Sequence, residues 1–170
     1  MRVGLLPLAL LPLAAACHRS GGPAGEEPTQ RLEGLRLSQS TLGSPGWDLD
    51  ARSAELIEGD KLADLTQPAL AFYEKKKEVS TVTARKGLVH MDTYDVTLTS
   101  DVVVRSLRDD STLRTEVLRY SSQRKKFLTD AEVEVKRPGG TLRGRGLEAS
   151  PDLSDIAIFH QRTQLEGAPR

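Results

Sequence analysis

Apolar and polar residues alternate with a period of two along most of the chain from Leu32 onward. The alternation is clearest in residues 47–52, 94–99, 113–117 and 127–136, where mainly apolar positions alternate with positions that are mostly charged or carry hydroxyls. Such a pattern is typical of β-strands that bury one face. The predicted inward positions in these stretches are Trp47, Leu49, Ala51, Tyr94, Val96, Leu98, Leu113, Thr115, Val117, Phe127, Ala131, Val133 and Val135.

Turn-forming residues separate these stretches. Clusters of Gly, Pro, Asp and Ser occur at residues 43–46, 58–60, 108–111, 138–140 and 150–152, and they predict reversals of the chain. No segment has the periodicity of a long helix. Residues 53–65 could hold a helical turn, although Gly59 disfavours it.

A weak repeat accompanies the alternation. Similar segments end at Leu56, Leu88, Leu118 and Leu147, with spacings of 32, 30 and 29 residues. A period near thirty, holding two or three strands, indicates stacked hairpin units that bury a common apolar face; the alternative is a coincidence of strand spacing. The fold predicted is all-β, an elongated antiparallel β-jellyroll or sandwich built from stacked hairpin repeats.

The first residues have the pattern of an export signal. Arg2 precedes the apolar run Val3–Leu13, and three alanines follow immediately before Cys17. The run is too short to span a bilayer as a helix, so residues 1–16 are predicted to be a signal peptide. Small residues directly before the cysteine resemble a bacterial lipoprotein signal, and Cys17 is the predicted lipidation site. The alternative is ordinary secretion with an incidental free thiol.

Composition divides the rest of the chain and excludes several functions. Residues 17–31 are rich in Gly, Pro and charge and predict a flexible lipidated tether; residues 32–165 form the predicted domain, and 166–170 a frayed tail. Lys and Arg number 24, as do Asp and Glu, which disfavours nucleic-acid binding by phosphate neutralisation. One cysteine excludes a disulfide framework. Because no catalytic or metal-ligating motif is present, we predict no enzyme activity, no cofactor and no metal.

Several segments resemble one known family. These are Trp47–Leu56, the stretch 65–74 with its Thr66-Gln67-Pro68 element, and Thr83–Leu88. Three further stretches follow in the same order, at residues 100–104, 113–116 and 142–147. Together, over Gly46–Phe159, the chain is similar to the LptC-type lipopolysaccharide export proteins of the OstA-like β-jellyroll superfamily.

The resemblance implies a role as a periplasmic bridge. Such proteins take lipopolysaccharide from an inner-membrane ABC transporter into an apolar slot and pass it to a soluble β-jellyroll partner joined edge to edge. The family's glycines before the first core strand and near the last hairpin correspond to Gly46 and Gly140. Most members are held by one transmembrane helix, whereas this chain offers acylated Cys17, so we expect a lipid-anchored periplasmic protein, on the inner membrane rather than the outer.

In such a sandwich, a slot between the two facing layers would bind acyl chains through apolar burial alone, at roughly 0.8 kcal/mol per CH₂. For each residue the alternative is a place in an ordinary packed core. The strand near Ile156–Gln164 is the predicted partner-facing edge. The candidate slot-lining residues are Trp47, Leu49, Leu70, Phe72, Val82, Val96, Leu98, Val104, Phe127, Val133, Val135, Ile156 and Ile158.

Two basic clusters leave a choice open. Lys75–Lys77 and Arg124–Lys126 suit lipid phosphates at a slot mouth, but charges at hairpin turns are more often solvated tips, and that interpretation is preferred. Two other functions remain. The first is an outer-membrane structural or assembly lipoprotein without a slot. The second, a glycan-binding sandwich, is disfavoured because the chain has only three Phe, three Tyr and one Trp.

Overall fold

The computed structural model describes residues 29–41, 44–57 and 59–164. All regular structure in these ranges is antiparallel β-sheet. The strands are β1 Thr29–Thr41, β2 Ser44–Ile57, β3 Leu62–Thr66, β4 Ala69–Glu74, β5 Lys77–Thr83, β6 Lys86–His90, β7 Val96–Ser106, β8 Thr112–Ser121, β9 Lys126–Arg137, β10 Gly140–Ala149 and β11 Ile156–Gln164.

In the described ranges the eleven strands form a meander of nine long antiparallel runs, where a run is either one strand or two strands that lie end to end. β3 and β4 lie end to end along β2, and β5 and β6 lie end to end along them in turn. β7 then pairs with both β5 and β6, and β8 to β11 follow one by one. The predicted period near thirty therefore corresponds to one pair of long runs.

A line of irregular backbone crosses the middle of the runs. Gly34, Gln67, Asp101 and Gly146 all have positive φ, at 75°, 51°, 54° and 79°. The pairing register also shifts in β7 to β10 near this line. Bulges and left-handed residues bend a strand sharply. Because nearly every run bends at the same level, the whole sheet folds over into two facing layers.

Contacts between distant strands show that the two layers face each other. The ring of Phe72, in one layer, lies 4.8 Å from Tyr120 and 5.1 Å from Phe127 in the other. Trp47 meets Tyr94 edge to face, with ring centroids 6.4 Å apart. Between the layers lies one continuous apolar core, to which every run except the two outermost contributes fully buried side chains.

The all-β prediction is confirmed, and most predicted inward positions are buried or half-buried. Val117 was predicted inward but is 40% exposed, because the bulge between Thr115 and Arg119 turns Leu118 inward instead. Tyr94 is 42% exposed because it lies in the loop before β7. The possible helical turn in residues 53–65 is not found: the described residues of this stretch, 53–57 and 59–65, lie in β2, in β3 and in the turn before β3.

The predicted signal peptide, Cys17 and most of the tether lie outside the described residues, as does the tail. The structure places β1 from Thr29, so the last residues of the segment predicted as tether pair with β2.

Candidate functional site

A cleft of about 550 Å³ opens between the tips of the two layers. One side comes from β4, the turn after it, and the β7–β8 turn. The other comes from the β8–β9 turn and the loop between β10 and β11. The lining residues are Gln39, Gly46, Phe72, Tyr73, Glu74, Lys75, Val79, Arg108, Tyr120, Ser122, Lys125, Ser150, Pro151, Asp152 and Ser154.

The floor of the cleft is aromatic and apolar. Phe72 and Tyr120 are 2% and 7% exposed, and Val79 is buried beside them. Burial, helped by the charge of Asp95, raises the pKa of Tyr120 to about 12, so its hydroxyl is neutral throughout the physiological range. The floor is thus an extension of the core that reaches the surface.

An ion-pair bridge crosses one side of the opening. Arg108, from the β7–β8 turn, pairs with Glu74 at the end of β4 and, at 3.1 Å, with Asp152 of the β10–β11 loop. Burial alone would raise the pKa of Asp152, but hydrogen bonds from Ser150 and Ser154 and the charge of Arg108 lower it below its usual value. This bridge ties the tip of one layer to the tip of the other.

The β10–β11 loop also inserts an apolar side chain between the layers. Leu153 is fully buried, although its φ is 59°, a conformation that is unfavourable for a residue with a branched side chain. Its carbonyl accepts a hydrogen bond from the Arg137 guanidinium at the end of β9. Packing and this bond together hold the loop in place despite the backbone strain.

The structure brings the two basic clusters of the sequence together. Lys75 and Lys125 both line the cleft, although fifty residues separate them. The sequence shows each cluster beside a turn, but which turns meet is decided by the bend of the sheet. The sequence alone therefore favours two separate, solvated hairpin turns for these clusters. It gives no sign that Arg108 and Asp152 line a cleft.

The predicted slot-lining residues lie together in the core. Eleven of the thirteen are between 0% and 4% exposed, and Ile156 and Ile158 are half-buried against the core. Phe72 also lines the cleft. The side chains predicted to meet a lipid are thus packed against one another in this structure.

Four buried side-chain polar atoms have no hydrogen-bond partner among the described residues, and two of them belong to fully buried residues of the strands. These two are the Trp47 indole Nε1 and the Ser80 hydroxyl, both in residues with 0% exposure. A buried donor without an acceptor is costly.

The predicted structural glycines occupy different environments. A Cβ at Gly46 would lie 2.3 Å from Gln39 Oε1 and 3.3 Å from the Gln39 backbone oxygen; the amide is the far end of a flexible side chain and can move aside, so this contact does not by itself require glycine. Gly140 begins β10 with a φ of 153°, directly after Gly139 at 99°. Its position in the tight β9–β10 turn accounts for the residue type.

Each end of the sheet has a free edge. Among the described residues β1 pairs only with β2, and β11 only with β10. β11 coincides with the strand predicted to face a partner, and its Phe159 is 62% exposed above Gly146. A side chain on Gly146 would come within 3.0 Å of the Phe159 ring.

A larger groove of about 1230 Å³ lies on the outer face of β7 to β11. Its wall carries charges of both signs, including Arg114, Glu132 and Arg145. Arg143 pairs with Glu134 at 2.8 Å, and this hydrogen bond is the main reason that the pKa of Glu134 lies below its usual value. The groove is therefore a wet, charge-paired surface.

No helix in the described ranges is long and apolar enough to cross a membrane. Nor do any His, Cys, Asp and Glu residues of those ranges gather closely enough to hold a metal ion.

Comparison with known proteins assigns the fold to a family. The family profile described as "Lipopolysaccharide-assembly, LptC-related" matches residues 31–166, which include nearly all of the bent sheet and the cleft. A search of curated proteins finds no match. The chain belongs to the LptC-related family of lipopolysaccharide-assembly proteins.

Proposed function

We propose that this protein is a periplasmic bridge that accepts lipopolysaccharide from an inner-membrane ABC transporter and passes it to a β-jellyroll partner. Membership of the family supports a part in lipopolysaccharide transport. The observation that carries the rest is the bent sheet, because it has a continuous apolar interior and ends in two strands that each have one edge unpaired among the described residues.

The interior suits acyl chains. Its walls are aliphatic and aromatic side chains, and each methylene buried there contributes roughly 0.8 kcal/mol without specific polar contacts. The unpartnered Trp47 and Ser80 would gain hydrogen bonds from ester or hydroxyl oxygens of the lipid. Because the core is closed in this structure, loading requires the layers to part, and the cleft between their tips is the proposed point of entry.

The two free edges would hold the neighbours in the chain of transfer. An exposed edge adds a strand from a partner through backbone hydrogen bonds. We assign β11 to the soluble β-jellyroll partner because the exposed ring of Phe159 supplies an apolar contact beside those hydrogen bonds. β1 then faces the transporter, since it follows the tether, whose first residue is the proposed anchor Cys17.

The proposed anchor is acylated Cys17, on the inner membrane. The tether 17–31 would let the sheet stand away from the bilayer by a root-mean-square distance on the order of 20 Å. Purification of the protein with the tether intact tests both ideas: mass spectrometry should find an acylated Cys17, and transporter subunits should copurify. An unmodified Cys17 would contradict the anchor.

Site-specific photocrosslinking tests the lipid slot. Crosslinkers placed at Phe72, Val96 and Val133 should label lipopolysaccharide in cells, because these side chains face the interior. Val117 is the matched control, since it is a valine of the same sheet that points outward. Circular dichroism confirms that each variant keeps its sheet. Equal labelling at Val117, or silence at all three inward positions while lipopolysaccharide is labelled on a known carrier, would contradict the proposal.

A further inference from the structure

We propose that the cleft binds the phosphate groups of its lipid, with Lys75 and Lys125 as the ligands at the rim and Phe72 and Tyr120 as the floor. This inference rests on the proposed function and adds the chemical class that the cleft recognises: an amphiphile with a phosphorylated head, taken up head outward.

The first argument is the state of the charges around the cleft. Its lining holds two carboxylates, Glu74 and Asp152, and both pair with Arg108. Lys75 and Lys125 have no ion-pair partner among the described residues. Arg108 brings one positive charge to these two negative charges, so with Lys75 and Lys125 the lining has one net positive charge. That surplus lies on the two lysines, which no carboxylate of the described residues holds in place.

The neighbours of Lys125 sharpen this point. Arg124 pairs with Glu148 at 2.7 Å and Lys126 with Asp155 at 2.6 Å. Of the three consecutive cations in this turn, the one that lines the cleft is the one without a carboxylate. If the cluster served only solubility, there would be no reason for Arg124 and Lys126 to be paired while Lys125, which lines the cleft, is left without a carboxylate among the described residues.

The second argument is the backbone. Lys75, Lys76 and Lys125 have φ values of 50°, 66° and 51°. Tight hairpin turns of this geometry prefer Asn and Gly, which adopt positive φ with little strain. Lysine at these positions is a strained choice, and because Lys61 outside the cleft has the same backbone, the strain supports the site only together with the position of these lysines. The turns keep the charge at some cost in backbone energy.

The third argument is the pairing of charge with an apolar floor. The ammonium groups stand at the rim of a cleft of about 550 Å³ whose base is the aromatic cluster of the core. A free anion would gain nothing from the floor, whereas a lipid would place its chains against the floor and its head at the rim. Charge-assisted contacts to phosphate oxygens are among the stronger hydrogen bonds in proteins.

Binding measurements on the full chain test the inference. The probes are purified lipopolysaccharide, the same lipopolysaccharide after enzymatic removal of its phosphates, and inorganic phosphate alone. We expect the intact lipid to bind on the order of tenfold more tightly than the dephosphorylated lipid, and inorganic phosphate to bind far more weakly than either.

Paired variants identify the ligands. Lys75→Gln with Lys125→Gln should remove the preference for the phosphorylated lipid and leave the affinity for the dephosphorylated lipid unchanged. The control is Lys61→Gln with Lys86→Gln. Neither of these exposed lysines lines the cleft, and Lys61 has the same kind of backbone, with φ at 52°. The control pair should keep the preference.

The outcomes separate this inference from the proposed function. Two results would overturn the phosphate site and leave the proposed lipid bridge standing. One is equal affinity for both lipids; the other is a control pair that loses the preference for the phosphorylated lipid as the cleft pair does. If inorganic phosphate binds as tightly as the lipid, the claim that the cleft recognises an amphiphile is wrong, and the cleft is a simple anion site. Failure of both lipids to bind would overturn the proposed function and this inference together.

Discussion

Two concave surfaces formed by the described residues, the outer groove and the cleft, differ both in size and in the chemistry of their walls. The outer groove has more than twice the volume of the cleft, about 1230 Å³ against about 550 Å³. Its side chains are largely charged, and some pair across neighbouring strands. The smaller cleft has a buried aromatic floor, and two of its lysines, Lys75 and Lys125, have no ion-pair partner among the described residues. The smaller surface is thus continuous with the apolar core, whereas the larger one is a charged outer face.

The largest expected effect comes from the cleft floor. Phe72→Ala should lower the free energy of unfolding by about 3 to 5 kcal/mol, because Phe72 packs against Tyr120 and Phe127 across the two layers. Val103→Ala, in the half-buried lining of the outer groove, should cost under about 1 kcal/mol. Urea unfolding measures both. Equal losses would mean that the floor and the groove are equivalent surfaces.

The ion-pair bridge comes next. Arg108→Gln should destabilise the fold by about 2 kcal/mol, because it leaves the carboxylate of Asp152 buried without its cation. Arg143→Gln removes an exposed pair with Glu134 in the outer groove and should change stability by less than about 1 kcal/mol. The comparison fails if the groove variant loses as much as the cleft variant in urea unfolding.

A smaller effect is expected from pH. The pKa of Asp152 lies below its usual value in the folded protein, so its ionised form contributes stability above the unfolded pKa of about 3.9. That contribution is lost as the pH falls through the lower folded value. Asp152→Asn should therefore cost about 1 kcal/mol at pH 7, and the difference from wild type should shrink toward pH 2. A difference independent of pH would assign the loss to packing instead of charge.

The smallest expected effect is a gain. Lys76→Gly should stabilise the fold by roughly 0.5 to 1 kcal/mol, because glycine accepts the φ of 66° without strain. Asp101→Gly, at a φ of 54° beside the outer groove, should gain less, since aspartate tolerates this conformation better and the change removes an ion pair with Arg85. Thermal unfolding would detect both; a loss in Lys76→Gly would contradict the strain argument.

Alternation in the sequence was enough to predict the strands and most of the core, because a strand buried on one face repeats every two residues. It failed at Val117, where a bulge adds one residue and reverses the alternation. It also left residues 53–65 open to a helical turn. Bulges depend on pairing with neighbouring strands, which a single segment does not encode.

The candidate site was harder to predict than the fold. Each basic cluster was visible, but the meeting of Lys75 and Lys125 follows from the bend of the whole sheet. Arg108 and Asp152 carry no motif, and their role comes from the approach of two turns that lie 44 residues apart. Side chains that act together across layers leave no local pattern, whereas core strands do.

The line of bends across the sheet has a geometric consequence for the protein's reach. The runs turn at a common level. One further hairpin would therefore add two neighbouring strands, or about 10 Å, to the length of the bent sheet without changing the bend itself or the two terminal strands. The number of hairpins therefore sets the length of the apolar interior, and the bend sets how its two layers face each other.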